Sequence, residues 1–238
     1  MFWGQNCVPC YTNVNDKKVS TDESVTSSIS RAEKYFKDAG TDTEQLAFFW
    51  YNVVRYGRLD VMEWAHRQRY SRVWNEQFHG RQVANEVCRK AAQYGQLDAL
   101  QWLRLNGCSW DSASTCFAVA DGGHLSVLEW ARVNGCDWDR YTCSTAAGGG
   151  HLVLEWARPN GCDWNAMTCS CAAGGGHLSV LQWARENGCD WDIRTCFAAA
   201  GGGHLSVLQW AIEKGCIWDI GTYHAAKICG NPDVVNCV

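Results

Sequence analysis

Histidine and cysteine recur in register along the chain, and both types could do chemistry. His124, His151, His177 and His204 stand at near-constant intervals; imidazole binds metals and moves protons near neutral pH. Cysteines follow threonine at Cys116, Cys143, Cys169 and Cys196, and follow glycine at Cys108, Cys136, Cys162, Cys189 and Cys216. Thiols bind soft metals, pair as disulfides or fill cores as small apolar groups. Cys7 and Cys10 form the one C-x-x-C pair, without the second pair a zinc site needs.

Intervals decide between these chemistries. Elements repeating at this period stack about 8–10 Å apart. A zinc ion holds its donors at about 2.0–2.3 Å, so equivalent histidines of successive repeats are too distant to share one. They are expected at loops or helix starts, hydrogen-bonded to nearby backbone. Equivalent Thr-Cys cysteines would likewise lie beyond the roughly 7 Å Cα limit for a disulfide. Buried packing is their expected role, and the Cys 15 total is odd, so the thiols are read as reduced. No metal or other cofactor is expected. The sequence holds no Gly-rich loop ending in Gly-Lys-Ser/Thr, no His-Glu-x-x-His and no nucleophile elbow, so no catalytic role is assigned.

The elements that carry these residues form an internal repeat. Tryptophans at 102, 130, 156, 183 and 210 are each followed eight residues later by a second, at 110, 138, 164, 191 and 218. The period is about 27. From Trp191 to Ala211 the chain reads "WDIRTCFAAAGGGHLSVLQWA". Asp192 suits an N-cap, "IRTCFAAA" a helix of about two turns, and Gly201–Gly203 its stop. A second helix opens at His204, with Leu205, Val207, Leu208, Trp210 and Ala211 or Ile212 on its apolar face. Its counterpart one repeat earlier ends at Asn187-Gly188, where Gly188 fits the left-handed position of a Schellman cap and Cys189 packs back on Trp183 or Ala184. So short a helix pair buries its apolar face only by stacking, and buried tryptophans at about 2–3 kcal/mol each would form the cohesive ladder.

These residues resemble the ankyrin repeat. "GHLSVLQWARENGCDWD" is similar to the ankyrin second helix and exit, and "TCFAAAGGGH" to the ankyrin first helix with its Gly-His turn. The likeness covers about 43–238 and is most specific within 95–229. The unit is about six residues shorter than the ankyrin repeat, and the missing residues fall where the β-hairpin finger would lie. The array is similar to the short, Trp- and Cys-rich ankyrin-like arrays of large DNA viruses and protists. The resemblance implies an all-α, ankyrin-like solenoid of helix pairs with hairpins shortened or absent, working as a non-catalytic protein-interaction scaffold or adaptor. The alternative is a Cys/His-rich metal-binding or redox-responsive protein.

The flanks are irregular. Residues 1–40 are polar and read as a tail or loose cap, and 41–94 as degenerate repeats with an insertion at 66–88. "TEQLAFFWYNVVRYG" and "YGRLDVMEWA" fit the two helices of a starting repeat. Regular repeats fill 95–229 and a partial one 230–238. "MFWGQNCVPC" lacks the pattern of a secretory signal, so a cytoplasmic or nuclear setting is expected. No apolar run is long enough to span a membrane. Residues 111–238 hold 7 Lys+Arg against 13 Asp+Glu, which disfavours nucleic acid as partner. The basic stretch, 66–90, has 6 basic and 2 acidic residues and reads as a solvated surface that could dock an acidic partner.

Positions that vary between copies are free for function. They fall on one face of the first helix: Arg140, Tyr141, Met167, Ile193, Arg194 and Ile220 just after the cap, and Phe117 and Phe197 after the cysteine. Residues i and i+4, such as Ile193 and Phe197, share a helix face. This strip is the expected contact for a protein partner and, in ankyrin terms, would line the concave side. Glu129, Glu155 and Gln182, with Arg132, Arg158 and Arg185, read as the solvated face of the second helices, with charge pairs at i, i+3. A monomer is expected.

Overall fold

A computed structural model describes residues 21–39, 43–70, 79–138, 140–150 and 153–237. Every regular element among them is a helix, and the chain divides into two compact units, Met1–Asp111 and Ser112–Val238.

The second unit is the regular one. Its helices alternate: α6 (Ser112–Gly122), α7 (Leu125–Val133), α8 (Arg140–Gly148), α9 (Val153–Ala157), α10 (Ala166–Gly174), α11 (Leu178–Glu186), α12 (Ile193–Gly201), α13 (Leu205–Glu213), α14 (Ile220–Cys229) and α15 (Pro232–Cys237). The first helix of each pair packs on the first helix of the next, α6 on α8, α8 on α10, α10 on α12 and α12 on α14. Small side chains permit this close approach. Thr168, Cys169, Ala172 and Ala173 of α10 are buried, as are Thr195, Cys196, Ala199 and Ala200 of α12. The second helices bury Val and Leu at successive positions and Ala three residues on: Val127, Leu128 and Ala131, then Val180, Leu181 and Ala184, then Val207, Leu208 and Ala211. Leu205 is only half-buried, so the apolar stripe is narrower than the sequence pattern suggests.

The expected start and stop signals are in place. The Asp192 carboxylate accepts the Arg194 N–H at 3.0 Å, and Asn165 accepts the Met167 N–H at 3.0 Å. Asp219 and Thr222 close a reciprocal capping box. At the end of α11, Gly188 N–H reaches the Arg185 carbonyl at 3.1 Å and Cys189 N–H the Ala184 carbonyl at 2.9 Å. That is the complete Schellman pattern, with Gly188 at φ +82. The same pair of bonds closes α5, α7 and α13 at Cys108, Cys136 and Cys216, and recurs at Cys162 after α9.

The "GGGH" turn has two causes. Its last glycine takes a left-handed conformation, φ +77 at Gly176. A Cβ there would also sit 2.6 Å from Nδ1 of His204, the histidine of the following repeat. His204 Nε2 in turn bonds the Gly174 carbonyl at 3.0 Å. The histidine is therefore a backbone-bonded wedge between repeats, as expected for a helix-start residue. His151 lies outside the described residues.

The first unit holds α1 (Thr21–Ala39), α2 (Thr43–Arg55), α3 (Leu59–Arg67), α4 (His79–Gln93) and α5 (Leu97–Leu105). The helices α2 and α3 are the starting pair read from the sequence. Part of the excess between 66 and 88 is taken up by α4, which has 15 residues where α10 and α12 have 9. The α1 segment, polar enough to resemble a tail, is helical and buries Ala32 and Phe36. Phe36 stacks on Tyr70 at 3.7 Å and packs on Phe49 at 4.3 Å. Trp50, Val53, Val54, Val61 and Met62 complete this core.

Candidate functional site

Tyr141, Ile193 and Ile220 stand exposed at the N-terminal ends of α8, α12 and α14, with Tyr141 46% and Ile220 68% accessible. Phe117 and Phe197 are exposed one turn further along α6 and α12. Met167 is half-buried on α10. Arg140 begins α8, and its side chain lies outside the described residues. The varying position after the cysteine is not uniformly outward: Ser144 is buried, and its hydroxyl donates back to the Tyr141 carbonyl at 3.1 Å. Ser170 does the same to Met167 at 3.0 Å. The apolar row is thus carried by α6, α8, α12 and α14, with α10 contributing least.

Arg194, a residue of the expected contact strip, is paired within its own helix start. Its Nη2 lies 2.6 Å from Asp192 Oδ2, the carboxylate that caps the same helix. The hydrogen bond from Arg194 holds the Asp192 carboxyl below its ordinary pKa, against the opposing effect of burial.

The arginines of the second helices also depart from the i, i+3 pairing expected. Arg132 lies over the Trp138 ring at 4.2 Å, Arg158 over Trp164 at 4.7 Å and Arg185 over Trp191 at 4.3 Å; Arg104 lies over Trp110 at 4.6 Å in the first unit. Each also donates Nη1 to the carbonyl of the Gly-Cys cysteine, at 2.6 Å from Arg132 to Cys136 and 3.1 Å from Arg104 to Cys108. Their carboxylate neighbours are loop residues, Asp137 at 3.7 Å and Asp163 at 4.0 Å. An arginine six residues before the second tryptophan is the signal that marks this clamp in the sequence. In the last repeat Ile212 takes the arginine's place, and Trp218 is 41% exposed.

The tryptophans meet in edge-to-face pairs, the loop tryptophan before each of α8, α10 and α12 against the tryptophan of the second helix that follows. Trp138 meets Trp156 at 5.6 Å, Trp164 meets Trp183 at 5.7 Å and Trp191 meets Trp210 at 5.7 Å. These rings are half-buried rather than core residues. The fully buried mass is Leu, Val, Ala, Thr and Cys.

The cysteines need the largest correction. Each Thr-Cys cysteine faces the Gly-Cys cysteine of its own helix pair, not its equivalent in the next repeat. Cys116–Cys136 and Cys143–Cys162 are joined as disulfides, with Cα atoms 6.3 and 6.5 Å apart, inside the limit that excludes neighbouring repeats. Cys88 and Cys108 have their sulphurs at 3.4 Å. The Cys169 thiol hydrogen-bonds Cys189, and that bond holds Cys189 below the ordinary thiol range against burial; Cys196 does the same for Cys216. Cys169 and Cys196 are pushed well up, first by the same bond and then by burial. In the 88–108 pair it is Cys108 that is pushed up, by its bond with Cys88 and by burial. A separation of 19 or 20 residues, repeated five times, is the sequence signal for this pairing. Among the described residues no three His, Cys, Asp or Glu side chains converge as a metal-ligand set, and no helix is long and apolar enough to cross a membrane. Cys7 and Cys10 lie outside the described residues.

No protein-family model matches the sequence, and no curated protein matches it. Among solved structures, the human ASB11 ankyrin repeat domain superposes with TM-score 0.50 at 16% identity, over 63% of this chain and 80% of that one. The fold is ankyrin-like. Within it, the first helices of the ankyrin-like pairs carry the exposed apolar row. No strand occurs among the described residues, and Asp137, Asp163 and Asp190 lie in the short loops between helix pairs.

Proposed function

We propose that residues 112–238 form a non-catalytic protein-interaction module that binds a partner segment along its first helices. The observation that carries this reading is the row of exposed apolar side chains, Phe117, Tyr141, Ile193, Phe197 and Ile220, at positions that differ from copy to copy. Side chains fixed by stacking would repeat, as the Thr, Cys and Ala positions do. Aromatic and aliphatic anchors on a rigid helical face are the side chains interface energetics favour.

Charge narrows the partner's chemistry. Arg132, Arg158 and Arg185 are engaged with tryptophan rings and loop carbonyls, and Arg194 with Asp192. Asp137 and Asp163 are almost fully exposed, at 89% and 90%, in the loops that lead into α8 and α10. A polypeptide carrying apolar anchors flanked by Lys or Arg fits such a face better than an acidic one. The role is that of a scaffold or adaptor, monomeric, in the cytoplasm or nucleus, with no part for nucleic acid.

The test is quantitative affinity capture with the intact chain at two salt concentrations. Tyr141, Met167, Ile193 and Ile220 replaced together by serine should abolish capture of the partners the wild type retains. Replacing Glu129, Glu155 and Gln182 by alanine should leave capture intact. Retained partners should be basic and weaken as salt rises from about 0.05 to 0.5 M, as screening shortens the Debye length. Capture that survives the serine set and fails with the alanine set would place the contact on the second helices and overturn the assignment.

A further inference from the structure

We propose that the five cysteine pairs, 88–108, 116–136, 143–162, 169–189 and 196–216, are equivalent thiol–disulfide sites, each able to staple the first helix of a repeat to the exit of its second. The register carries the inference. In each pair one cysteine sits on a first helix, α4, α6, α8, α10 or α12, and the other at the residue after the Schellman glycine. Two of the pairs are joined, with Cα separations of 6.3 and 6.5 Å. The other three hold the same two positions with thiol against thiol. All ten sulphurs belong to buried cysteines, each bonded or hydrogen-bonded within its own pair.

In the 169–189 and 196–216 pairs the first-helix thiol hydrogen-bonds the Gly-Cys sulphur, which favours ionisation of the Gly-Cys thiol. In these two pairs the Gly-Cys sulphur lies against a cap-residue carbonyl, Cys189 within 3.4 Å of Asn165 and Cys216 within 3.5 Å of Asp192, whereas Cys108 lies 3.4 Å from the Ala84 carbonyl inside α4. These carbonyls accept from the protonated thiol, so a thiolate at the Gly-Cys sulphur is held by the first-helix thiol. The second thiol donates to it. A hydroperoxide is the fitting oxidant, since it is small enough to reach a buried sulphur. The thiolate attacks one peroxide oxygen, the O–O bond breaks, and after proton uptake a sulfenic acid and water result. The neighbouring thiol then displaces the sulfenic oxygen as a second water and the S–S bond forms. Overall two thiols and one hydrogen peroxide give one disulfide and two waters. A dithiol reductant reverses the state by taking up the S–S bond as its own disulfide.

Each bond closes a loop of about 20 residues, a length at which a cross-link measurably restricts the unfolded chain. The consequence is a repeat array whose stiffness is set by its oxidation state, one pair at a time.

The test uses the full chain, first reduced with a dithiol, then exposed to graded hydrogen peroxide. Free thiols are blocked under denaturing conditions and the cross-linked peptides mapped by mass spectrometry. Bonds are expected at the five named pairs and no others, with a rise in thermal midpoint of about 10 °C between the reduced and fully oxidised chain. A Cys189→Ala and a Cys169→Ala variant should each lose the 169–189 bond and its share of the oxidative rise. The double variant should lose no more than either. Reversed by dithiol, the midpoint should return to its starting value. If Cys171, Cys229 or Cys237 oxidises while the buried pairs stay reduced, or if cross-links join equivalent cysteines of neighbouring repeats, the proposal fails. Should the alanine variants not fold, the peptide map of the wild-type chain decides by itself.

Discussion

Arg185 shows how one residue does three jobs in this fold. It lies over Trp191, donates to the Cys189 carbonyl at the end of its own helix, and places a positive charge at that helix's C-terminus. A half-buried cation over an indole contributes about 0.5–2 kcal/mol, and a charged donor to a helix-end carbonyl adds a similar amount. The chain contains its own comparison, because Ile212 replaces the arginine and Trp218 is left exposed. Arg185→Leu should therefore destabilise by about 1–2 kcal/mol in denaturant unfolding and raise the solvent exposure of Trp191, read by its fluorescence. Arg185→Lys should recover less than half of the loss, since an ammonium lacks the planar fork that stacks and donates together. Full recovery by lysine would reduce the clamp to a simple charge effect.

Helix pairs hold to one another through few but repeated contacts, and the tryptophans are the most regular of them. Trp164, in the loop between α9 and α10, and Trp183 of α11 meet at 5.7 Å with planes 71° apart, the edge-to-face geometry that aromatic pairs prefer. Both are half-buried, so Trp183→Ala should cost about 2–3 kcal/mol, less than the loss for a fully enclosed ring. A double-mutant cycle over Trp164 and Trp183 should return a coupling of about 0.5–1.5 kcal/mol. Additivity within about 0.3 kcal/mol would mean the rings only touch. The sequence made the elements legible because their signals are local. A glycine of positive φ, an aspartate before a helix and a Val-Leu-x-x-Ala stripe each act within one turn of the chain, and all three are where the pattern placed them. The varying first-helix positions were legible too, since Tyr141, Ile193, Phe197 and Ile220 are exposed. The pairing of cysteines was less so. The comparison that suggests itself runs between equivalent positions of neighbouring repeats, whereas folding a helix back on itself brings together residues about 20 apart inside one repeat. The Arg–Trp clamp was hidden for the same reason: its partners lie across a loop, and a surface charge pattern offers a closer partner that the backbone does not in fact present. Nothing in the position of Arg194 reveals that the cap residue Asp192 takes its guanidinium.

At the scale of the molecule, stability in residues 112–238 is a matter of neighbours. Each first helix packs on the ones before and after it, so α8, α10 and α12 have two such partners while α14 has one and is followed by the short α15. A stacked array of this kind adds an interface term for each neighbour rather than sharing one core. Its last repeat is also the least complete: Ile212 stands in for the clamping arginine, Trp218, Ile217 and Ile228 are exposed, and Tyr223 replaces the paired cysteine. Hydrogen exchange should therefore be graded along the unit. Amides of α10 and α12 are expected to exchange slowest, and those of α14 and α15 fastest, by a factor of about 10 or more, which corresponds to a difference near 1.4 kcal/mol in opening free energy. Trp183→Ala then serves as a probe of how far coupling reaches. It removes a contact between α11 and the loop that joins α9 to α10, so exchange in α8, α10 and α11 should accelerate, with α6 changing least. Mass-resolved exchange of the wild-type and variant chains, kept reduced throughout, measures both gradients. Uniform protection from α6 to α14, lowered equally everywhere by the substitution, would mean that the unit opens as a single cooperative body and that the neighbour-by-neighbour account is wrong.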